Sequence, residues 1–408
     1  MKFFQVPAHY RSPLVSAIKQ QRKVADKLKK DTSPTRLDWG DLQIILARHF
    51  GFCYGVENAI EIAFRAVAEN PGRRIFLLSE MIHNPGVNRD LQALGVCFLM
   101  DTSGNKLTDW DSLTADDVVI VPAFGTTLEL ERTLREKGIE PSTYETTCPF
   151  VEKVWNRAEK IGAEGYTVVV HGKPKHEETR ATFSHSAAST PTVVVNDMKE
   201  AEALARFITG ETPAEDFYIN FRGQYSEGFD VTRDLGRIGV VNQTTMLATE
   251  TQAISDFLKS VMVQHHHLTT ETLASRFADT RDTLCYATAD NQSAVLGMLR
   301  EEADLAIVIG GYNSSNTSHL VELCEGKLAT YYIENESCVL DGDAIRHFDM
   351  HQGEEVVTQG WLPDARPVRV LITSGASCPD AVVERVMLRL AEMVGVTVKM
   401  DEMIGAVA

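Results

Sequence analysis

From residue 43 to about residue 390, short apolar runs of strand length alternate with segments whose apolar positions recur every three or four residues. That alternation predicts parallel α/β units. Strands are expected at 74–78, 118–121, 167–170, 192–195, 237–241, 305–309 and 368–372. Ahead of them, Ile44-Ile45-Leu46-Ala47 runs into a turn flanked by Gly51 and Gly55 that presents Cys53, and the chain then becomes helical through 57–69. The layout returns twice. Thr146-Thr147-Cys148-Pro149 opens a helical run through Lys160, with proline suited to the first turn. Thr283-Leu284-Cys285-Tyr286 opens another, as far as Arg300. Three cysteines at helix heads, 95 and 137 residues apart, predict three similar units facing one centre. Free N–H groups at each helix start favour a thiolate.

Ligands of open α/β sheets gather where strands end and helices begin, so the other corners are read for chemistry. Ile82-His83-Asn84-Pro85 is either an anion contact or a self-satisfied turn. His171-Gly172-Lys173-Pro174-Lys175-His176-Glu177-Glu178 offers an imidazole for an anion and a carboxyl for proton delivery, or else a solvated loop capping the next helix. Gln243-Thr244-Thr245 suits an N-cap and equally a contact to a substrate hydroxyl. Gly310-Gly311-Tyr312-Asn313-Ser314-Ser315-Asn316 combines close backbone approach with side-chain donors at a helix start, a phosphate cradle. Thr373-Ser374-Gly375-Ala376-Ser377 is a second small-residue corner. With no Walker lysine at either, the pattern points to a small diphosphate rather than a nucleoside triphosphate.

Charge and cysteine usage narrow the classes. The formal charge of −17 argues against a nucleic-acid binder. Residues 1–37 nevertheless hold nine Lys/Arg against Asp26 and Asp31, a net +7 that leaves −24 on the remainder. This arm reads as a solvated basic helix, with docking of an acidic partner as the alternative. No apolar run approaches the roughly 18 residues of a membrane span, and residues 1–6 lack a secretory signal's apolar core. Seven cysteines, an odd number, suit reduced thiols serving metal or catalysis. Three thiolates hold either a zinc ion with a histidine or an iron–sulfur cluster, and no Cys-x2-Cys ribbon is present. Cys97, Cys324, Cys338 and Cys378 read as packing residues. Residues 210–232 read as an inserted loop or short hairpin.

Taken together, Gly51-Phe52-Cys53-Tyr54-Gly55-Val56, His83-Asn84-Pro85, Thr147-Cys148-Pro149, His176-Glu177-Glu178, Gln243-Thr244-Thr245, Cys285-Tyr286-Ala287-Thr288, Asn313-Ser314-Ser315-Asn316 and Gly375-Ala376-Ser377 resemble the 4-hydroxy-3-methylbut-2-enyl diphosphate reductase (LytB) family, in its long cyanobacterial and plastid form. The resemblance implies a trefoil of three α/β domains around a central [4Fe–4S] cluster. The domains fall at 43–145, 146–282 and 283–375, after a basic extension at 1–42 and before a C-terminal helix and tail at 376–408. It implies Cys53, Cys148 and Cys285 as cluster ligands with one iron left open. His83, His176, Ser314, Ser315, Asn316 and Ser377 would hold the diphosphate, Thr244 would orient the substrate hydroxyl, and Glu178 would feed protons.

The implied reaction is reductive dehydroxylation to isopentenyl and dimethylallyl diphosphate, the last step of the methylerythritol phosphate route. Electrons would come from a ferredoxin or flavodoxin to a cytoplasmic monomer or homodimer. Ala123-Phe124-Gly125 departs from the family, where many bacterial members carry His-Gly; either His171 or Lys173 replaces the missing donor, or binding is arranged differently. A quinolinate-synthase-like dehydratase, an iron–sulfur sensor and a zinc-binding structural protein are the rival readings.

Overall fold

The computed structural model of the protein describes residues 4–27, 30–278 and 283–399. Lys2 and Lys29 of the basic extension and residues 400–408 of the tail lie outside them. The strands are β1 (Thr35–Asp38), β2 (Leu42–Leu46), β3 (Ile75–Leu77), β4 (Val96–Phe98), β5 (Val118–Ile120), β6 (Thr167–His171), β7 (Thr192–Val195), β8 (Ile238–Asn242), β9 (Leu305–Ile309), β10 (Thr330–Ile333), β11 (Ala344–Asp349), β12 (Glu354–Gln359) and β13 (Val368–Ser374). All seven expected strands form, with ends within two residues of those read from the sequence.

The chain divides into two compact units, each discontinuous in sequence. The first comprises the chain up to Glu61, Ile82–Asn88, and the chain from Tyr286 onward. Its sheet has the order β1-β2-β13-β9-β10, parallel except for β1, which pairs antiparallel with β2 at one edge. β2 therefore pairs with β13, in register Leu42 to Val368, rather than with β3, its neighbour along the chain. Parallel strands are covered on both faces, and β9 is accordingly buried at every position.

The N-terminal extension is not the solvated basic helix expected of it. Helix Pro13–Ala25 begins at the Ser12 cap, whose side chain accepts from Val15 N, and its Leu14, Val15 and Ile18 are fully buried in the first unit's core. Arg22 reaches across to the carbonyls of Ala47 and Arg48, at 2.8 Å each. The exposed lysines dominate the composition, while three apolar side chains on one helical face decide the packing. Ile18→Ala should therefore cost about 2–5 kcal/mol, read as a lowered denaturation midpoint. An unchanged midpoint would mean the helix is dispensable to the fold.

The second unit comprises Ile62–Met81 and Arg89–Cys285. It carries two three-stranded parallel sheets, β4-β3-β5 and β7-β6-β8. Residues 210–232 are neither open loop nor hairpin. They form short helices at Ala214–Asn220 and Val231–Asp234, and Phe217 stacks on Phe221 and Phe229 at 5.0 and 5.1 Å between ring centroids. Val194 N then donates to Gln224 O at 2.7 Å, fastening the segment along β7. The i, i+4 spacing of Phe217 and Phe221 makes this stretch helical. Cys97, expected inside, is exposed on the edge strand β4. Among the described residues no helix is long and apolar enough to cross a membrane.

Candidate active site

In the first unit, β9 ends in Gly310-Gly311, and Ser314 caps helix Ser315–Glu325 by accepting from Thr317 N at 3.3 Å. The parallel strand β13 ends alongside and delivers Gly375-Ala376-Ser377. Two glycines allow the corners to close. A Cβ on Gly311 would stand 2.6 Å from the His83 carbonyl, and one on Gly375 would overlap Thr317 Oγ1. Ser377 Oγ donates to the His83 carbonyl at 3.0 Å, Ala376 N donates to Asn316 Oδ1 at 2.9 Å, and Cys53 N donates to Ala376 O at 3.2 Å. Five of the expected residues (Cys53, His83, Ser314, Asn316 and Ser377) are thus connected through backbone and side chain, with Ser315 opening the same helix.

The cradle has donors to spare. Ser315 Oγ and Asn316 Nδ2 are buried without a hydrogen-bond partner among the described residues. Asn316 Oδ1 is already committed to Ala376 N and to Asn291 Nδ2, at 3.4 Å, so the amide is oriented with its NH2 free. At the N-terminus of a helix, these side-chain donors have the chemistry to receive an anion. Gly375→Ala, which pushes Thr317 into the cradle, is expected to weaken binding of inorganic pyrophosphate by about tenfold, as overpacking costs of 1–3 kcal/mol imply; calorimetric titration measures this.

In the second unit, His176 caps helix Glu177–Ala187, its Nδ1 accepting from Glu178 N at 3.2 Å, which leaves Nε2 as the ring's donor. Glu178 is buried, and both carboxyl oxygens face Thr244: Thr244 N donates to Oε1 at 2.5 Å and Thr244 Oγ1 to Oε2 at 2.9 Å. The Thr244 carbonyl in turn accepts from Cys285 N at 3.2 Å. Gln243 fixes the loop, accepting from Lys173 N at 3.1 Å and Thr179 Oγ1 at 2.9 Å. Cys148 caps helix Pro149–Ala163 and donates its N–H to Ala123 O at 3.0 Å.

The expected helix-start preference for thiolate does not prevail at Cys148. Burial pushes this thiol up to about 11 against the favourable N–H of Phe150, and nearby charge on Cys285 and Glu178 adds to the shift. Cys148, Cys285 and Glu178 thus lie near enough to one another for their charges to interact. Cys324 and Cys378 are also pushed up by burial, to about 12, and are fully buried in the first unit's core.

Phe124 lies edge-on to the His176 ring, centroids 5.7 Å apart. The His171 ring is fully buried, and its Nδ1 faces Thr251 Oγ1 at 3.2 Å. Sequence reasoning overlooked Asn291, which steers Asn316. The signal lay in helix Tyr286–Met298, where polar Thr288, Asn291 and Gln292 are buried among apolar neighbours.

An α/β scaffold carrying a cluster of buried donors in one unit and a buried acid–hydroxyl pair in the other has the equipment of an enzyme. The chain belongs to the LytB protein family, which it matches over residues 44–391, and it is a reductase of that family. It is 41% identical over 354 residues to the 4-hydroxy-3-methylbut-2-enyl diphosphate reductase of Crocosphaera subtropica, covering 86% of this chain and 85% of the relative. To the enzyme of the same name from Thermosynechococcus vestitus it is 38% identical over 387 residues, covering 95% and 90%. A solved structure of (E)-4-hydroxy-3-methyl-but-2-enyl diphosphate reductase, described as the terminal enzyme of the non-mevalonate pathway, matches with a TM-score of 0.50 and 27% identity over 86% of this chain and 99% of that one. The Plasmodium falciparum reductase structure shares the fold, with a TM-score of 0.61 at 20% identity over 85% of this chain and 87% of that one.

Proposed function

We propose that the protein converts 4-hydroxy-3-methylbut-2-enyl diphosphate to isopentenyl and dimethylallyl diphosphate by removing the allylic hydroxyl reductively. The observation that carries this reading is the hydrogen-bonded run from Glu178 through Thr244 to the backbone N–H of Cys285, which ties a proton source and a hydroxyl to the loop of a candidate metal-binding residue. Curated relatives of that name, matched over most of the chain, support it.

The reading requires a [4Fe–4S] cluster. Among the described residues no three His, Cys, Asp or Glu side chains are gathered as for a single metal ion. The donor chemistry suits a larger cluster: Cys53, Cys148 and Cys285 are reduced thiols, half-buried and each placed just ahead of a helix. Held by these three thiolates, such a cluster would store electrons one at a time and leave one iron open as a Lewis acid. The trefoil, a cytoplasmic monomer or homodimer, and a ferredoxin or flavodoxin as donor belong to the same proposal.

The remaining chemistry falls to the chain itself. Ser314, Ser315, Asn316 and Ser377, with His83 and with Nε2 of His176, hold the diphosphate. Thr244 Oγ1 orients the substrate hydroxyl, and Glu178 gives the proton with which the oxygen leaves as water. Two electrons and a second proton, delivered to either end of the allylic fragment, complete the product.

Anaerobic purification with iron and sulfide analysis, followed by EPR of the reduced protein with and without the C5 diphosphate, tests the proposal. About four irons per chain and a spectrum altered by the diphosphate are expected. Zinc in place of iron overturns the reading. Iron that ignores the diphosphate favours the dehydratase or the sensor.

A further inference from the structure

One pocket of the first unit lies outside the anion cradle yet touches Cys53. It has a volume of about 310 Å³ and lies between helix Pro13–Ala25, the loop from Arg48 to Tyr54, and the start of helix Tyr286–Met298. Five cationic side chains line it (Lys19, Arg22, Lys23, Lys27 and Arg48) against the carboxylates of Asp26 and Asp290. On a chain of net charge −17 this is a local reversal of sign.

The charges divide into two groups. Arg22 and Arg48 are bound into the wall, Arg22 on the Ala47 and Arg48 carbonyls and Arg48 on the Arg22 carbonyl at 3.1 Å and Asp26 at 3.4 Å. Lys19 pairs with Asp380 at 2.7 Å and lies over the Phe50 ring. Lys23, on the helix, and Lys27, in the turn just beyond its end, are exposed at the rim. Beside them stand two tyrosines, Tyr54 at 40% and Tyr286 at 36% exposure, with Tyr54 N donating to Tyr286 Oη at 3.2 Å. Tyr54 follows Cys53 directly in the chain, and Tyr286 follows Cys285. The Phe4 ring meets Tyr54 edge-on at 4.9 Å, and Tyr10 meets Phe52 at 5.8 Å, so the N-terminal segment braces this wall.

We propose that this groove is where an acidic one-electron carrier protein docks, its carboxylates on Lys23 and Lys27 and its redox centre over Tyr54 and Tyr286. The inference rests on the reductase reading above. Cations framing exposed aromatic side chains suit a small, transient, electrostatically steered interface, and the groove borders a candidate ligand of the redox centre. Each encounter oxidises the carrier by one electron and reduces the enzyme by one; two encounters supply the two electrons that one dehydroxylation consumes.

The test uses the full-length holoenzyme, a Lys23→Glu/Lys27→Glu variant and its milder Lys23→Gln/Lys27→Gln counterpart. The probe is an oxidised plant-type [2Fe–2S] ferredoxin for binding, and the same protein reduced for turnover. Charge reversal is expected to weaken ferredoxin binding and ferredoxin-driven kcat/KM by about tenfold or more and to flatten their salt dependence. The neutral variant should lie between. Turnover driven by reduced methyl viologen, which needs no docking site, should stay within about twofold. Ferredoxin binding and turnover unchanged in both variants would overturn the proposal. So would a wild-type dimer that charge reversal dissociates while ferredoxin binding persists, since the groove then joins two copies. A wild-type enzyme that turns over with viologen and fails to bind ferredoxin sinks the docking site alone; one without iron or viologen turnover sinks the reductase reading instead.

Discussion

Glu178→Gln is expected to retain cluster and fold and to lose turnover by roughly 10²–10⁴-fold, the range that a positioned acid contributes. The substitution keeps the shape of a side chain that is almost wholly buried. Its Oε1 can still accept from Thr244 N, and the Thr244 hydroxyl can rotate to accept from the new amide where it donated to Oε2. The loop carrying Cys285 N therefore stays anchored through Thr244 O. What disappears is a proton that can leave. Thr244→Val should also be slow, because it removes the hydroxyl between acid and substrate. The double variant should be hardly worse than either single one, since the two groups act in one relay. Rates for Glu178→Gln within about threefold of wild type, driven by reduced viologen, would assign the proton to another group.

Six of the seven expected strands were readable because each is buried at every position and so appears as a largely apolar run, as in Leu305-Ala306-Ile307-Val308-Ile309. The hairpin of β11 and β12 was not, since its alternation includes half-exposed and charged positions that sequence pattern alone assigns to loop. The cysteine loops and the Gly310–Asn316 corner were legible as chemistry because glycine, hydroxyl and amide cluster there beyond what helix capping needs. Thr244 was the opposite case. Its local context reads as an ordinary cap, and its meaning depends on a carboxyl 66 residues earlier. Leu14, Val15 and Ile18 were masked by the lysines around them: composition averages over a helix, whereas burial selects one face. The thiolate expectation at Cys148 failed for a related reason. A helix start favours an anion by about 0.3–1 kcal/mol when exposed, and desolvation of a buried thiol exceeds that.

Cys148→Ser is expected to abolish the cluster while leaving the fold intact, and the two effects separate cleanly at this position. Cys148 is the N-cap residue of helix Pro149–Ala163 and makes no side-chain capping bond. Serine is a better cap than cysteine, its backbone can keep the N–H to Ala123 O, and Pro149 continues to set the first turn. Thermal stability of the metal-free protein should therefore hold or rise slightly. A serine hydroxyl, with a far higher pKa than a thiol and little affinity for iron, cannot replace the thiolate. Iron and acid-labile sulfide should fall from about four per chain to well below one, and turnover should vanish with them. Cys97→Ser is the matched control: that thiol is exposed on an edge strand, and the variant should keep its full complement of iron. A Cys148→Ser protein with unchanged iron content would remove Cys148 from the ligand set and leave the cluster proposal without a third thiolate.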